Sequence, residues 1–341
     1  MKSNIKIESF KRSSDAWEKI LNNFDDANIY QTTEFAENSK YGKDIEHFVI
    51  SNGNEIIGTA LVRLYTLPII NRGTAYIRWG PLWKIKDKPV NLDNFTFVLA
   101  ALWNEYVTKR KLQLNIFPNI FKGKDDNLIP ILTGIGFKPK VYNNPYQTVH
   151  VDLSLPLEEL KKNFRKKWRY ELNKSVRNKL TIVNGKEIKS FNIFLKLYKE
   201  MQQKKQFEEH IDVESFKLIQ HSLPSELKMN VFLAYHEEKP VAALVGTNIG
   251  EIGIYLLGAS VNKGRELGAS YQLQWHMLSW LKESGCKYYD LGGIDPAGAK
   301  GVTRFKTGLG GEILTSYGEF GAVTNTMSKG LVLLGSKLKS K

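Results

Sequence analysis

Two stretches of the 341-residue chain concentrate side chains that could do chemistry. Between Lys161 and Lys179 the bases Lys161, Lys162, Arg165, Lys166, Lys167, Arg169, Lys174, Arg177 and Lys179 face a single acid, Glu171. Leu160, Phe164, Trp168, Leu172 and Val176 recur at every fourth position through the same stretch, so the spacing predicts one amphipathic helix with an apolar stripe and a basic face. A dense positive face releases counterions when it meets an anionic polymer, which points to phosphate binding. The second stretch is Tyr289–Pro296 followed by Gly301–Gly311. Gly292, Gly293 and Gly301 permit close backbone approach or unusual φ, and the pattern predicts a turn that delivers one cation, with Phe305 anchored in the core and Lys306 pointing elsewhere. An ammonium fixed in that way can stabilise a developing negative charge. Asp290 and Asp295 lie near it in sequence, where each could serve the site or simply cap a turn.

The elements that carry these stretches repeat along the chain. In the first copy, Phe48–Ser51 meets the turn pair Asn52-Gly53 and continues into Glu55–Tyr65, a hairpin pattern. Thr74–Trp79 reads as a strand, Asp93–Thr108 as a helix and Leu112–Ile116 as another strand, with Gly134-Ile-Gly-Phe137 beyond. The second copy keeps that order: Val231–Tyr235, a charged turn at His236–Lys239, Val241–Asn248, Ile252–Ala259, a helix over Glu266–Glu283, Tyr288–Leu291, and Gly308-Leu-Gly-Gly311. The helix holds His276 between Trp275 and Trp280, where a partly buried, satisfied imidazole is expected.

Composition sets the outer limits. At 42% apolar and 25% charged, with no apolar run near the roughly 18 residues of a membrane span, an integral membrane protein is excluded. The N-terminal residues lack a hydrophobic segment with a small-residue cleavage site, and the lone Cys286 cannot form an intramolecular disulfide, so the cytoplasm is expected. Six histidines and one cysteine show no metal-ligand spacing, which predicts chemistry without a metal or other cofactor. The net charge of +14 favours a polyanionic partner: nucleic acid, a nucleotide diphosphate or an anionic lipid surface.

Taken in order, Gln31-Thr-Thr-Glu-Phe-Ala36, Tyr76-Ile-Arg-Trp-Gly-Pro81, the basic stretch after Val151-Asp-Leu153, Tyr255-Leu-Leu-Gly-Ala-Ser260 and the C-terminal glycine-rich motif resemble the FemABX family. These transferases add amino acids from aminoacyl-tRNA to the peptide of cell-wall precursors. The resemblance implies an α/β protein of mixed sheets: two tandem GNAT-like acyltransferase domains, without the coiled-coil arm that some members insert. It implies a precursor-binding domain over residues 1–150 and a donor-binding, catalytic domain over 151–341. Lys306 and Phe305 inherit the catalytic Phe-Lys pair, the lysine serving the oxyanion formed when an amine attacks an ester. Arg165, Lys166, Arg169, Arg177 and Arg304 are the implied donor and tRNA contacts, and Lys40, Arg78, Lys204 and Tyr255 the implied acceptor contacts. Phe117 stands in Asn115-Ile-Phe-Pro118 where cell-wall members commonly carry an aspartate, a departure on the acceptor side.

The implied partners are aminoacyl-tRNA and a nucleotide- or lipid-linked envelope precursor, with peripheral contact at the inner face of the cytoplasmic membrane. Two other functions are compatible with the residues. Arg265-Glu-Leu-Gly-Ala269 is similar to the loop by which GNAT enzymes hold the pyrophosphate of acyl-CoA, which would suit an N-acyltransferase acting on an amino sugar of a surface polysaccharide. The basic stretch and the Leu- and Lys-rich tail Ser328–Lys341 would also suit a non-catalytic protein that binds RNA or a membrane surface.

Overall fold

The computed structural model describes residues 5–38, 44–67, 72–142, 144–205 and 212–322. The chain forms two compact units: one built from residues 1–145 together with the segment from Thr315 onward, the other from Tyr146–Leu314.

In the first unit the strands are β1 (Ile5–Phe10), β2 (Asp44–Asn52), β3 (Glu55–Leu67), β4 (Arg72–Arg78), β5 (Gln113–Phe117) and the short β6 (Lys138–Pro139). Antiparallel pairing runs from β1 through β4, and β4 then pairs β5 in parallel, Tyr76 opposite Asn115. The β2–β3 hairpin forms as expected, but its last pair is Asn52 with Glu55, so the turn residues are Gly53 and Asn54, and Gly53 supplies the positive φ of +61°. Helices α1 (Ser14–Leu21), α2 (Thr33–Glu37), α3 (Leu92–Leu102) and α4 (Ile129–Ile135) complete the unit. Ser13, Thr32 and Asn91 cap the first three with their side-chain oxygens. The predicted helix over Asp93–Thr108 is α3 continued by a π-helical turn, Trp103–Lys109. Its inner face, with Phe95, Val98, Leu99 and Leu102, meets Phe48, Ile50, Ile57 and Ala60 in one core.

In the second unit the strands are β7 (Gln147–Asp152), β8 (Thr181–Gly185), β9 (Asn230–His236), β10 (Lys239–Thr247), β11 (Ile252–Ser260), β12 (Tyr288–Asp290) and β13 (Glu312–Thr315), in the spatial order β13-β7-β12-β11-β10-β9-β8. Again the meander β8 to β11 is antiparallel and the next pair, β11 with β12, is parallel, Ile254 opposite Asp290. The helices are α5 (Leu157–Asn163), α6 (Lys166–Val176), α7 (Ile188–Lys205), α8 (Val213–Ser222), α9 (Asn262–Glu266), α10 (Ala269–Glu283) and α11 (Lys300–Thr307). The repeat read in the sequence is present as two tandem units, each a seven-stranded mixed sheet with helices and the same strand order.

Two expectations need correction. The proposed division after residue 150 would cut β7, and the C-terminal segment does not stay with the second unit. A last strand, β14 (Phe320–Ala322), lies between β5 and β6 in the first sheet, giving β1-β2-β3-β4-β5-β14-β6. In both sheets the strand that follows the parallel pair has an antiparallel neighbour. The second unit draws it from its own start, β7, whereas the first draws it from the returning end of the chain.

The basic stretch is also not one helix. Phe164 and Arg165 are extended (ψ 141° and 142°) and separate α5 from α6. The break buries the Phe164 ring edge-on against Trp168 and Trp275, at 4.7 and 5.8 Å between centroids. Arg165 N–H, freed from a helical ladder, donates to Gly308 O at 2.9 Å. Leu160, Phe164, Trp168 and Leu172 are all buried, so the four-residue spacing found the core face; Val176 is exposed.

Candidate active site in the second unit

The parallel pair β11–β12 leads into Gly292 and Gly293, and α11 brings Lys306 to them. Lys306 therefore stands on a helix, not on a turn, and it is the buried member of the Phe-Lys pair, only 8% exposed. Its Nζ donates to Gly293 O at 2.8 Å and lies 5.3 Å from the centre of the Tyr255 ring. Burial lowers the ammonium's pKa to about 8, a fall opposed by the nearby negative charge of Asp290. Burial also pushes the Tyr255 hydroxyl up to about 12, so a neutral ring faces the cation.

Gly292 has φ +70°, and a Cβ there would lie 2.9 Å from Tyr255 O, so both conformation and space call for glycine. Its N–H donates to Asp290 Oδ1 at 2.8 Å. Asp290 has no exposed surface; Thr148 Oγ1 donates to the same Oδ1, and His150 Nε2 lies 3.3 Å from Oδ2. Asp295, by contrast, is exposed and caps a turn through Ala297 N–H and Gly298 N–H. Thr148 and His150 were not foreseen as site residues. Their signal was the alternation of Thr148 and His150 with Val149 and Val151 in the buried middle of β7, and only the pairing of His150 with Asp290 gives it meaning.

Phe305 is half-buried rather than a core anchor. Its ring packs on Tyr271 (5.2 Å) and Trp168 (5.9 Å), and its carbonyl accepts Trp168 Nε1–H at 3.1 Å. With Arg165 N–H on Gly308 O, these contacts fasten the start of α6 to α11. The basic surface and Lys306 thus share one packed assembly. Around it Arg165, Lys166, Arg177 and Arg304 are exposed, and Arg169 is half-buried with a guanidinium N–H on Lys162 O at 2.8 Å. His276, expected to be partly buried, lies on the exposed face of α10.

The implied acceptor residues are spread over both units. Tyr255 stands with Lys306, and Lys204 is exposed near the end of α7, paired with Glu200 at 2.7 Å. Lys40 and the tail Ser328–Lys341 lie outside the described residues. Arg78 is in the first unit, its guanidinium 4.2 Å from the centre of the Tyr30 ring and 5.7 Å from that of Phe35. There the two motifs of the first half interlock: Gln31 Nε2 donates to Arg78 O at 2.6 Å, Gln31 Oε1 accepts Leu61 N–H at 2.7 Å, and Asn28 Nδ2 donates to Trp79 O at 2.8 Å. Trp79 sits at φ +51°, a left-handed conformation that a bulky residue adopts only when its surroundings hold it.

The sequence profile of the FemAB family matches residues 222–332, the segment that carries Tyr255, Asp290 and Lys306. In that segment the chain is similar to the FemAB family. A lipid II:glycine glycyltransferase of Staphylococcus haemolyticus (strain JCSC1435) is 30% identical to this chain over 109 residues, 27% of this chain's length. That match spans about a quarter, 26%, of the staphylococcal protein. The crystal structure of FemX superposes with a TM-score of 0.80 over 95% of this chain and 99% of its own, at 17% identity. A conserved protein of unknown function from Bacteroides thetaiotaomicron VPI-5482 superposes with a TM-score of 0.60 over 94% and 100%, at 12% identity. At these identities the superpositions establish the fold.

The Arg265–Ala269 loop is occupied by the chain's own structure. Arg265 donates to Ser260 O at 2.6 Å, Asn178 Nδ2 donates to Leu267 O, and Gln272 Nε2 donates to Ser175 O. A Cβ on Gly268 would meet Ser175 Cβ at 3.0 Å, so the end of α6 packs on the first turn of α10. Among the described residues, no group of His, Cys, Asp and Glu could hold a metal ion, and no helix is long and apolar enough to cross a membrane.

Proposed function

We propose that the protein is an aminoacyltransferase that moves an amino acid from aminoacyl-tRNA to an amine of a peptidoglycan precursor, nucleotide- or lipid-linked. The observation that carries this reading is the buried Lys306 ammonium, seated on Gly293 O and against Tyr255 inside the segment that matches the FemAB family. The acceptor amine attacks the ester carbonyl carbon and forms the new C–N bond. The carbonyl oxygen takes the negative charge, the C–O bond to the tRNA ribose breaks, and the amine's proton is passed to the departing hydroxyl. With a pKa of about 8, Lys306 is about nine-tenths protonated at pH 7. A preorganised cation at the developing oxyanion is worth about 3 kcal/mol.

The donor's phosphates suit the exposed Arg165, Lys166, Arg177 and Arg304, joined to Lys306 through the α6–α11 contacts. An acyl-CoA donor is disfavoured because the helix N-terminus that would take its pyrophosphate is packed against α6. The staphylococcal relative's name favours a lipid-linked acceptor, which would place the protein at the inner membrane surface.

The test supplies purified protein with tRNA charged with a radiolabelled amino acid, or with labelled acetyl-CoA, together with nucleotide-linked or lipid-linked precursor. Label is expected on the precursor from charged tRNA alone and not with Lys306→Met. Label from acetyl-CoA alone would overturn the reading.

A further inference from the structure

Lys306 alone does not explain why its ammonium rests where it does. The chain from β12 into the glycine turn is held at every step: Leu291 N–H donates to Val149 O, Gly292 N–H to Asp290 Oδ1, and Ile294 N–H to Gln147 O. Gly293 O, which receives the ammonium, projects from the middle of this run. Asp290 is thus bonded to the residue next to the ammonium's seat, and it is also the negative charge that acts on the ammonium. Its own position is fixed by Thr148, whose hydroxyl donates to Oδ1 and lies 3.0 Å from Gly292 O, while His150 Nε2 lies 3.3 Å from Oδ2. A fully buried carboxylate carries a large desolvation cost, so the fold retains one only where its charge and hydrogen bonds are used.

We propose that Asp290 is the positioning residue for Lys306: anchored by Thr148 and by Gly292 N–H, its carboxylate fixes the Gly292–Gly293 turn on which the ammonium is seated and supplies the opposite charge that holds the cation there. This rests on the reading of Lys306 as the oxyanion-stabilising group, yet it concerns the resting protein and is tested without substrates. Asp290 from β12 and Tyr255 from β11 act on the ammonium; beyond them stand Tyr289 and His150 beside Asp290, Tyr146 against Gly293, and the exposed Arg304 on its own helix. Of these, Asp290 is the one whose negative charge acts directly on Lys306.

The experiment follows the ε-carbon of Lys306 by NMR in protein labelled with ¹³C-lysine, the signal assigned by its loss in Lys306→Arg. Wild type is expected to titrate near pH 8. In Asp290→Asn, which keeps the shape and an oxygen for Gly292 N–H, the midpoint is expected to fall by at least about one pH unit, as loss of a neighbouring opposite charge dictates. An unchanged midpoint would overturn the proposal. Should Asp290→Asn fail to fold, Thr148→Val tests the anchor: Gly292 N–H should exchange with solvent at least about tenfold faster, with Thr148→Ser restoring protection. Equal exchange in wild type and Thr148→Val would equally overturn it. Failure of transfer from charged tRNA, with these NMR results intact, would count against the donor assignment alone.

Discussion

The two units share one sheet order and use their buried polar side chains in opposite ways. In the first, those groups are spent on the backbone: Gln31 serves Arg78 O and Leu61 N–H, Asn28 serves Trp79 O, and the Asp26 carboxylate accepts Trp83 N–H and Lys84 N–H. In the second, at the place where β12 follows the parallel pair, Thr148, His150, Asp290 and Lys306 gather around one another. The strand in the corresponding place of the first sheet offers Asn115, whose oxygen takes a neutral bond from Gln113 Nε2 at 2.9 Å. One copy uses polarity to fix a strained chain, and the other keeps a buried charge ready. The shared strand order thus carries two different sets of polar side chains, backbone-bonded in the first unit and charge-paired in the second.

If that division holds, substitutions in the two units should separate activity from stability. Lys306→Met should lower transfer by about 10²–10³-fold, as loss of one oxyanion-stabilising group does, while changing unfolding free energy by no more than about 1–2 kcal/mol. Turnover within tenfold of wild type would remove Lys306 from the chemistry. Gln31→Leu should do the reverse. It leaves Leu61 N–H and Arg78 O without their partner, a loss of about 2–4 kcal/mol in denaturant unfolding, with transfer by the folded fraction within about twofold of wild type. A stable Gln31→Leu that had lost activity would place the first motif in the site and erase the contrast.

The third test uses pH. His47 is fully buried, stacks on Trp17 at 4.3 Å, accepts Arg12 N–H at Nδ1 and meets Thr33 Oγ1 at Nε2. Burial, reinforced by Arg12 and Lys11, pushes its pKa down to about 3, and protonation at Nδ1 would break the bond from Arg12 N–H. Because the folded value lies below the unfolded value of 6.5, the stability is present above pH 6.5 and is lost as pH falls toward 3. Between pH 7 and pH 5 the loss should be about 2 kcal/mol by urea unfolding, and His47→Gln should flatten that slope. An equally steep loss in the variant would assign the acid sensitivity elsewhere.

What could be read in the sequence followed from local chemistry. The repeated order of strands and the apolar face of the basic stretch rest on local patterning, and each corresponds to structure. The extended break at Phe164–Arg165 was illegible because it depends on Gly308 O, far along the chain. The same holds for β14, which fills a gap in the first sheet after the whole second unit has intervened, and for Thr148 and His150, which meet Asp290 only across the β7–β12 ladder. Phe305 and Lys306 exchanged their expected places. An aromatic residue beside a lysine reads as the buried one, and it takes the carbonyl at Gly293, the ring of Tyr255 and the charge of Asp290 to make burial of the ammonium tolerable.

The smallest expected effect concerns the surface of the second unit. Arg165 is exposed and Arg169 half-buried, so neither holds the core, and replacing both by Ala should leave thermal unfolding unchanged. If they neutralise tRNA phosphates, affinity should fall as log K against log salt, with each lost contact flattening the slope by about 0.7–0.9. The double variant should therefore bind several-fold more weakly at low salt and approach wild type as salt rises, because the charges it lacks are those that salt screens. The first unit supplies the control. Arg78, stacked on Tyr30, should leave the tRNA slope untouched when replaced by Ala if its unit serves the acceptor. Filter binding of charged and uncharged tRNA over a salt series reads both. Equal slopes for wild type and Arg165→Ala/Arg169→Ala would move the donor surface away from α6, and a flattened slope in Arg78→Ala would extend it into the first unit.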